Sequence, residues 1–150
     1  MRVCSVDLGI KNPAYSVFEF DSKNISLVSL EKLNWSKDWE KNVIKDITKH
    51  NPDIVVLEKQ GPKSPTSKII YFVKGFFFST DTKVIVRNPP FRGISHRDRK
   101  KQSVTVFLEK ISEYPDIKNS IINKYTKLDD LADSFNLGLS YLESLLKSVK

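Results

Sequence analysis

Four apolar residues, Ile54-Val55-Val56-Leu57, follow Asn51-Pro52 and run without interruption into Glu58. A segment this short and this β-branched reads as a strand. Because it is apolar at odd and even positions alike, both of its faces must be covered. That pattern belongs to a strand inside a sheet with layers packed on it, and no other feature constrains the fold as much. The neighbouring segments agree. Arg2 to Val6 reads as a strand that stops at Asp7-Leu8-Gly9. Ala14 to Phe20 is a second strand, and Ile25 to Leu33 a third with Ile25, Leu27 and Leu30 inward. The connections Lys11-Asn12-Pro13 and Asp21-Ser22-Lys23-Asn24 carry turn residues and make these three an antiparallel meander.

Ser36 reads as the N-cap of a helix to about Lys49, with Trp39, Val43, Ile44 and Ile47 at helical spacing. A loop from Lys59 to Pro65, a helix from about Thr66 to Phe78 and a strand from Lys83 to Arg87 follow. Asn88-Pro89-Pro90 stops that strand. After a basic loop, helices are expected over Lys100 to Ser112, over Asp116 to Tyr125 and from about Leu128 to near the end. Three strands, helix, strand, helix, strand and helices describe an α/β protein with a mixed sheet. With 150 residues, 39% of them hydrophobic, the expectation is one domain over 1–150 around one core.

Cys4 is the sole cysteine, and the histidines are His50 and His96, which excludes an intramolecular disulfide and a Cys-built zinc site. No apolar stretch approaches the length of a membrane span, and the start of the chain carries a charge where an export signal needs apolar residues. The expectation is an intracellular, non-secreted protein that engages no membrane.

The chain carries a net charge of +7, gathered in two places. Arg87, Arg92, Arg97, Arg99, Lys100 and Lys101 stand against only Asp98, and Lys59, Lys63 and Lys68 occupy a stretch without an acid. Clustered positive charge is the footprint of a phosphate-bearing partner, although a solvated basic surface has the same composition.

Acids occupy positions where burial makes them costly. Asp7 and Glu58 each end an apolar strand, and ligands of open α/β sheets gather beyond the carboxyl ends of strands. Asp130 and Asp133, three residues apart, share a helix face that adjoins an apolar arc. Taken singly, Asp7 is also a common turn residue, and Asp129, Asp130 and Asp133 also suit the positive end of a helix dipole. Taken together, carboxylates from two strand ends and one helix, with almost no His or Cys, suit hard cations such as Mg²⁺ or Mn²⁺. Two such ions activate water and stabilise the leaving oxygen of a phosphodiester. The residues themselves therefore point to a metal-dependent nuclease. A non-catalytic module that binds duplex or junction DNA is the alternative from another class.

Four motifs in chain order carry a resemblance over almost the whole sequence: Ser5-Val6-Asp7-Leu8-Gly9-Ile10-Lys11-Asn12, Ile54-Val55-Val56-Leu57-Glu58-Lys59-Gln60, Arg99-Lys100-Lys101-Gln102-Ser103-Val104 and Asp130-Leu131-Ala132-Asp133. Together they resemble the RuvC-like branch of the ribonuclease H superfamily, and within it the poxvirus Holliday-junction resolvases. The resemblance implies a ribonuclease H-like five-stranded sheet, three strands antiparallel and two parallel, with helices on both faces. It implies Asp7, Glu58, Asp130 and Asp133 as catalytic metal ligands, with Asp129 able to supplement or replace Asp130. It further implies two Mg²⁺ per active site, with Mn²⁺ as a substitute, and no organic cofactor. Lys59, Lys63, Lys68, Arg87, Arg92, Arg97, Arg99, Lys100 and Lys101 are the candidate DNA contacts. The implied activity is resolution of four-way DNA junctions by a homodimer through symmetric paired nicks that leave 5′-phosphates. The setting is viral recombination and concatemer resolution in the host-cell cytoplasm. Another ribonuclease H-like enzyme, acting on RNA or RNA–DNA hybrid, shares the same metal chemistry.

Overall fold

The computed structural model describes residues 1–91 and 93–148. Its elements in chain order are β1 (Arg2–Asp7), β2 (Ala14–Phe20), β3 (Ile25–Lys32), α1 (Trp39–Thr48), β4 (Ile54–Glu58), α2 (Ser67–Phe77), β5 (Lys83–Arg87), α3 (His96–Ile111), α4 (Pro115–Lys124) and α5 (Asp129–Ser148). The five strands form one sheet in the order β3-β2-β1-β4-β5. β1 pairs antiparallel with β2, and β2 with β3. β4 runs parallel to both β1 and β5. The fully apolar run is thus an inner parallel strand, and Val55, Val56 and Leu57 have no exposed surface.

Alternation along the strands divides the core in two. Cys4, Val6, Tyr15, Val17, Val55 and Leu57 face the layer of α1 and α2, where they meet Val43, Ile47, Ile69 and Val73. Val3, Phe18, Ile54 and Val56 face the opposite layer, where Phe107, Leu131, Phe135 and Leu142 cover them. α5 lies closest to the sheet. A Cβ on Gly138 would stand 2.6 Å from Phe18 Cε2 and 2.7 Å from Ser5 Cβ, so only glycine fits this contact. One turn earlier, Ser5 Oγ donates to the carbonyl of Ser134 at 2.7 Å, and the hydroxyls of Ser16 and Ser134 share a hydrogen bond of 2.8 Å. Two small serines on the sheet and a serine and a glycine on the helix set how near α5 approaches and fix its axial position.

Two sequence expectations are corrected. α1 starts at Trp39, not after Ser36. Asn34 Oδ1 accepts from the backbone N–H and the hydroxyl of Ser36, so Ser36 belongs to a turn, and Asp38 holds the N-cap position with φ 45°. α3 begins at His96, not Lys100, because the Ser95 hydroxyl accepts from the Asp98 N–H and caps the helix. The basic run expected as a loop is therefore the first turns of a helix. α2 turns one side inward. Ile69, Ile70, Val73 and Phe77 are buried, whereas Tyr71 is 73% and Phe78 90% exposed.

The inward placement of both Leu27 and Leu30, three apart, violates strict alternation. It holds because the β2–β3 register slips: Val17 pairs with Ser29 and Phe18 with Leu27. Val28 is left over and turned outward, and both leucines stay in the core.

Candidate active site

Two neighbouring strands deliver the first two acids. The β1–β4 ladder runs to the pair Val6 and Leu57, and Asp7 and Glu58 follow one residue further on. Alternation puts Asp7 on the face of Ser5, and Glu58 on the face of Val56, so both acids look toward the α5 layer. The serine and glycine seam holds the start of α5 across the same sheet end, and this start carries Asp129, Asp130 and Asp133.

The electrostatics record how closely these groups converge. Burial first, then the charges of Asp133, Glu58, Asp130 and Asp129, push the Asp7 carboxyl well above the ordinary carboxylate range. Glu58 is raised by burial and by Asp133, with Arg99 pulling the other way. Burial also raises Asp133, against a hydrogen bond from Ser103, with Asp129 and Asp130 adding to the rise. Asp130 is raised by burial and Asp129, against Lys32, Lys127 and Lys100. Acids drawn from three elements thus repel one another in a poorly solvated place, an arrangement that a bound cation relieves.

Two buried oxygens, Asp129 Oδ1 and Asp130 Oδ2, have no hydrogen-bond partner among the described residues. A buried carboxylate oxygen without a donor is expensive, and a divalent cation is a partner of the right chemistry. The donor set is all oxygen, which suits Mg²⁺ or Mn²⁺. Among the described residues, no group of three or more His, Cys, Asp or Glu side chains is already arranged to hold a metal ion. The carboxylates therefore stand within electrostatic reach of one another without closing around one point.

The basic candidates separate by place. Arg99 and Lys100 line a cleft with Glu58, Asp133, Pro89 and Pro90. Lys100 Nζ also lies 3.6 Å from Asp129 Oδ2, which Lys127 approaches at 3.8 Å. Arg97 and Lys101 are exposed on α3, and Lys59 and Lys63 on the loop after β4. Lys68 lies apart from the acids on α2, its ammonium 5.1 Å from the centre of the Trp39 ring. The Arg87 guanidinium is engaged with α5, donating to the Ser140 carbonyl at 3.4 Å and lying over the Tyr141 ring. Arg92 lies outside the described residues.

Sequence reasoning missed two polar residues. Ser103 Oγ donates to Asp133 Oδ1 at 2.7 Å, and Asn136 Nδ2 donates to the hydroxyl and the carbonyl of Ser103. Both side chains are buried. The readable signal was a serine on the stripe that continues to Phe107 and Ile111, where an apolar residue is expected.

The model of the Poxvirus A22 protein family matches residues 1–147. The chain belongs to this family. It is 66% identical to the fowlpox virus (strain NVSL) Holliday junction resolvase, covering 100% of this chain and 97% of that protein. It is 42% identical to the vaccinia virus (strain Ankara) Holliday junction resolvase, over 93% of this chain and 74% of that one. The crystal structure of fowlpox virus resolvase with substrate Holliday junction DNA superposes with a TM-score of 0.94, covering 97% of this chain and 99% of that chain. Thermus thermophilus RuvC in complex with a Holliday junction matches with a TM-score of 0.53 at 15% identity, over 99% of this chain and 96% of that chain. This distant likeness shows that the family shares the RuvC fold, a ribonuclease H-like sheet of the kind described above.

Proposed function

We propose that this chain, as one catalytic domain, resolves four-way DNA junctions as a metal-dependent endonuclease. The observation that carries the reading is the convergence of Asp7, Glu58, Asp130 and Asp133 beside the basic start of α3. Its support from relatives is the fowlpox resolvase, 66% identical and matched in complex with its substrate junction.

Asp7, Glu58, Asp130 and Asp133 would hold the cations, two Mg²⁺ per site or Mn²⁺ in their place, and the orphaned oxygen of Asp130 fits that role. Bound there, divalent cations lower the pKa of water and neutralise charge at the scissile phosphate. The protein's own part is to hold four carboxylates in register through strands and a helix that pack closely on one another. Arg99 and Lys100, in the cleft with Glu58 and Asp133, hold the DNA backbone against the acids and offset phosphate charge. Hydrolysis adds the water oxygen to phosphorus and expels the 3′-oxygen, leaving a 5′-phosphate and a 3′-hydroxyl that can be religated.

A junction has two-fold symmetry, and one set of four acids cuts one strand at a time. A C2 homodimer presents two sets in matching symmetry. The apolar face for such a contact is available on α2 and the residue that follows it, where Tyr71, Phe76 and Phe78 are exposed. Paired nicks then occur within one binding event, in the setting of viral concatemer resolution in the host-cell cytoplasm.

Labelled four-way junction, linear duplex and RNA–DNA hybrid, incubated with and without Mg²⁺, test the reading. Symmetric cleavage of the junction alone, only with metal, is expected. Faster cleavage of the hybrid, or cleavage undiminished by a chelator, overturns it.

A further inference from the structure

Ser103 and Asn136 lie in the seam between α3 and α5, where Phe107 and Phe135 pack against each other in an edge contact. Ser103 is 2% and Asn136 4% exposed. An apolar pair would fill such a seam without desolvating a hydroxyl and an amide, so the polar pair needs another account. Its hydrogen bonds have a direction. The Asn136 amide donates to Ser103 Oγ at 3.0 Å and to the Ser103 carbonyl at 2.9 Å. The serine oxygen is thereby engaged as an acceptor, and its single proton is directed to Asp133 Oδ1 at 2.7 Å. One oxygen of Asp133 is thus held by the protein and Oδ2 is the oxygen available to a cation. Ser103 also falls three and four residues after Lys100 and Arg99 on one face of α3.

We infer that Ser103, oriented by Asn136, is a positioning residue that presents Asp133 to the metal and ties it to the helix that grips DNA. The inference rests on the metal-dependent reading above. Hydrogen-bond partners of metal ligands typically set affinity by about 10- to 100-fold, so the effect belongs in metal binding and not only in stability.

The test is the Mg²⁺ concentration that gives half of the ion's thermal stabilisation of the DNA-free protein. Mg²⁺-dependent rates of junction cleavage are measured beside it. Ser103→Ala removes the donor, and Ser103→Cys keeps nearly the same volume with a weak donor, so the seam stays filled. Both should raise the half-stabilising Mg²⁺ concentration by about tenfold or more, with the cleavage midpoint moving in parallel. Ser103→Thr, which keeps the hydroxyl, should retain the parent midpoint. If Ser103→Ala and Ser103→Cys lower the melting temperature but leave the Mg²⁺ midpoint at the parent value, the pair is merely structural and the inference is overturned. If the parent itself shows no stabilisation by Mg²⁺, the metal reading fails first, a distinguishable result that removes the inference with it.

Discussion

Replacing Gly138 by alanine tests whether the close approach of α5 to the sheet assembles the site. The added Cβ would meet Phe18 Cε2 at 2.6 Å and Ser5 Cβ at 2.7 Å, about 1 Å inside ordinary carbon contact distances of 3.5–4.0 Å. Neither neighbour is a flexible chain end: Phe18 and Ser5 belong to adjacent inner strands and are fully buried. Overpacking of this kind costs about 1–3 kcal/mol, while alanine in a helix interior regains about 1 kcal/mol over glycine. The net loss is then about 0–2 kcal/mol, a fall in Tm of up to about 8 °C for a chain of this size. The functional effect exceeds the thermal one. Relief of the clash lifts α5 and carries Asp130 and Asp133 away from Asp7 and Glu58, and a misplacement of about 1 Å is worth about 100-fold in rate. Thermal melting and single-turnover cleavage of a labelled junction measure the two effects, with binding followed in parallel. A variant that melts at or above the parent temperature and cleaves at the parent rate refutes the reasoning.

The pH dependence of stability has a definite sign. Asp7, Glu58, Asp130 and Asp133 are all raised in the folded state, so the folded chain binds protons that the unfolded chain has released. Their contribution is favourable below the ordinary carboxylate range and is lost as pH rises through the raised values; melting of metal-free protein should show this decline, and added Mg²⁺ should flatten it. Asp7→Asn should stabilise the metal-free protein by about 1 kcal/mol, since functional acids are held against stability, and a lower Tm counts against the repulsion described above. Reversing Arg99, Lys100 and Lys101 to Glu should reduce the salt slope of log affinity by about 0.9 for each lost phosphate contact, and an unchanged slope marks these residues as a solvated surface. Tyr71→Asp with Phe78→Asp should shift sedimentation from dimer to monomer, and an unaltered dimer places the contact elsewhere.

What the sequence revealed and what it hid follow from the range of each interaction. The inner strand at Ile54 to Leu57 was legible because burial on both faces writes itself into consecutive residues. Asp7 and Glu58 stood out because a carboxylate after an apolar strand is conspicuous, and Asp130 with Asp133 because helical spacing aligns them. The start of α3 was missed because the charges of Arg97 to Lys101 masked the capping serine at 95. Leu27 and Leu30 were read correctly as inward, yet the register slip that permits it depends on β2 and was invisible in β3. The Ser103–Asn136–Asp133 hydrogen bonds cross 30 and 33 residues, and no local pattern encodes such a contact. The division of α2 into a buried and an exposed side was hidden because hydrophobicity alone does not say which side meets solvent.

The central claim is that four carboxylates form one catalytic site whose loss stops cleavage without weakening DNA binding, which rests on the basic residues beside it. Its most direct test is single-turnover cleavage of a labelled four-way junction by the parent and by Asp7→Asn in Mg²⁺, with junction affinity measured on the same samples. The account predicts a fall in cleavage of several orders of magnitude, with affinity retained or tightened because a negative charge facing phosphate is gone. Cleavage by Asp7→Asn within a few-fold of the parent would contradict it.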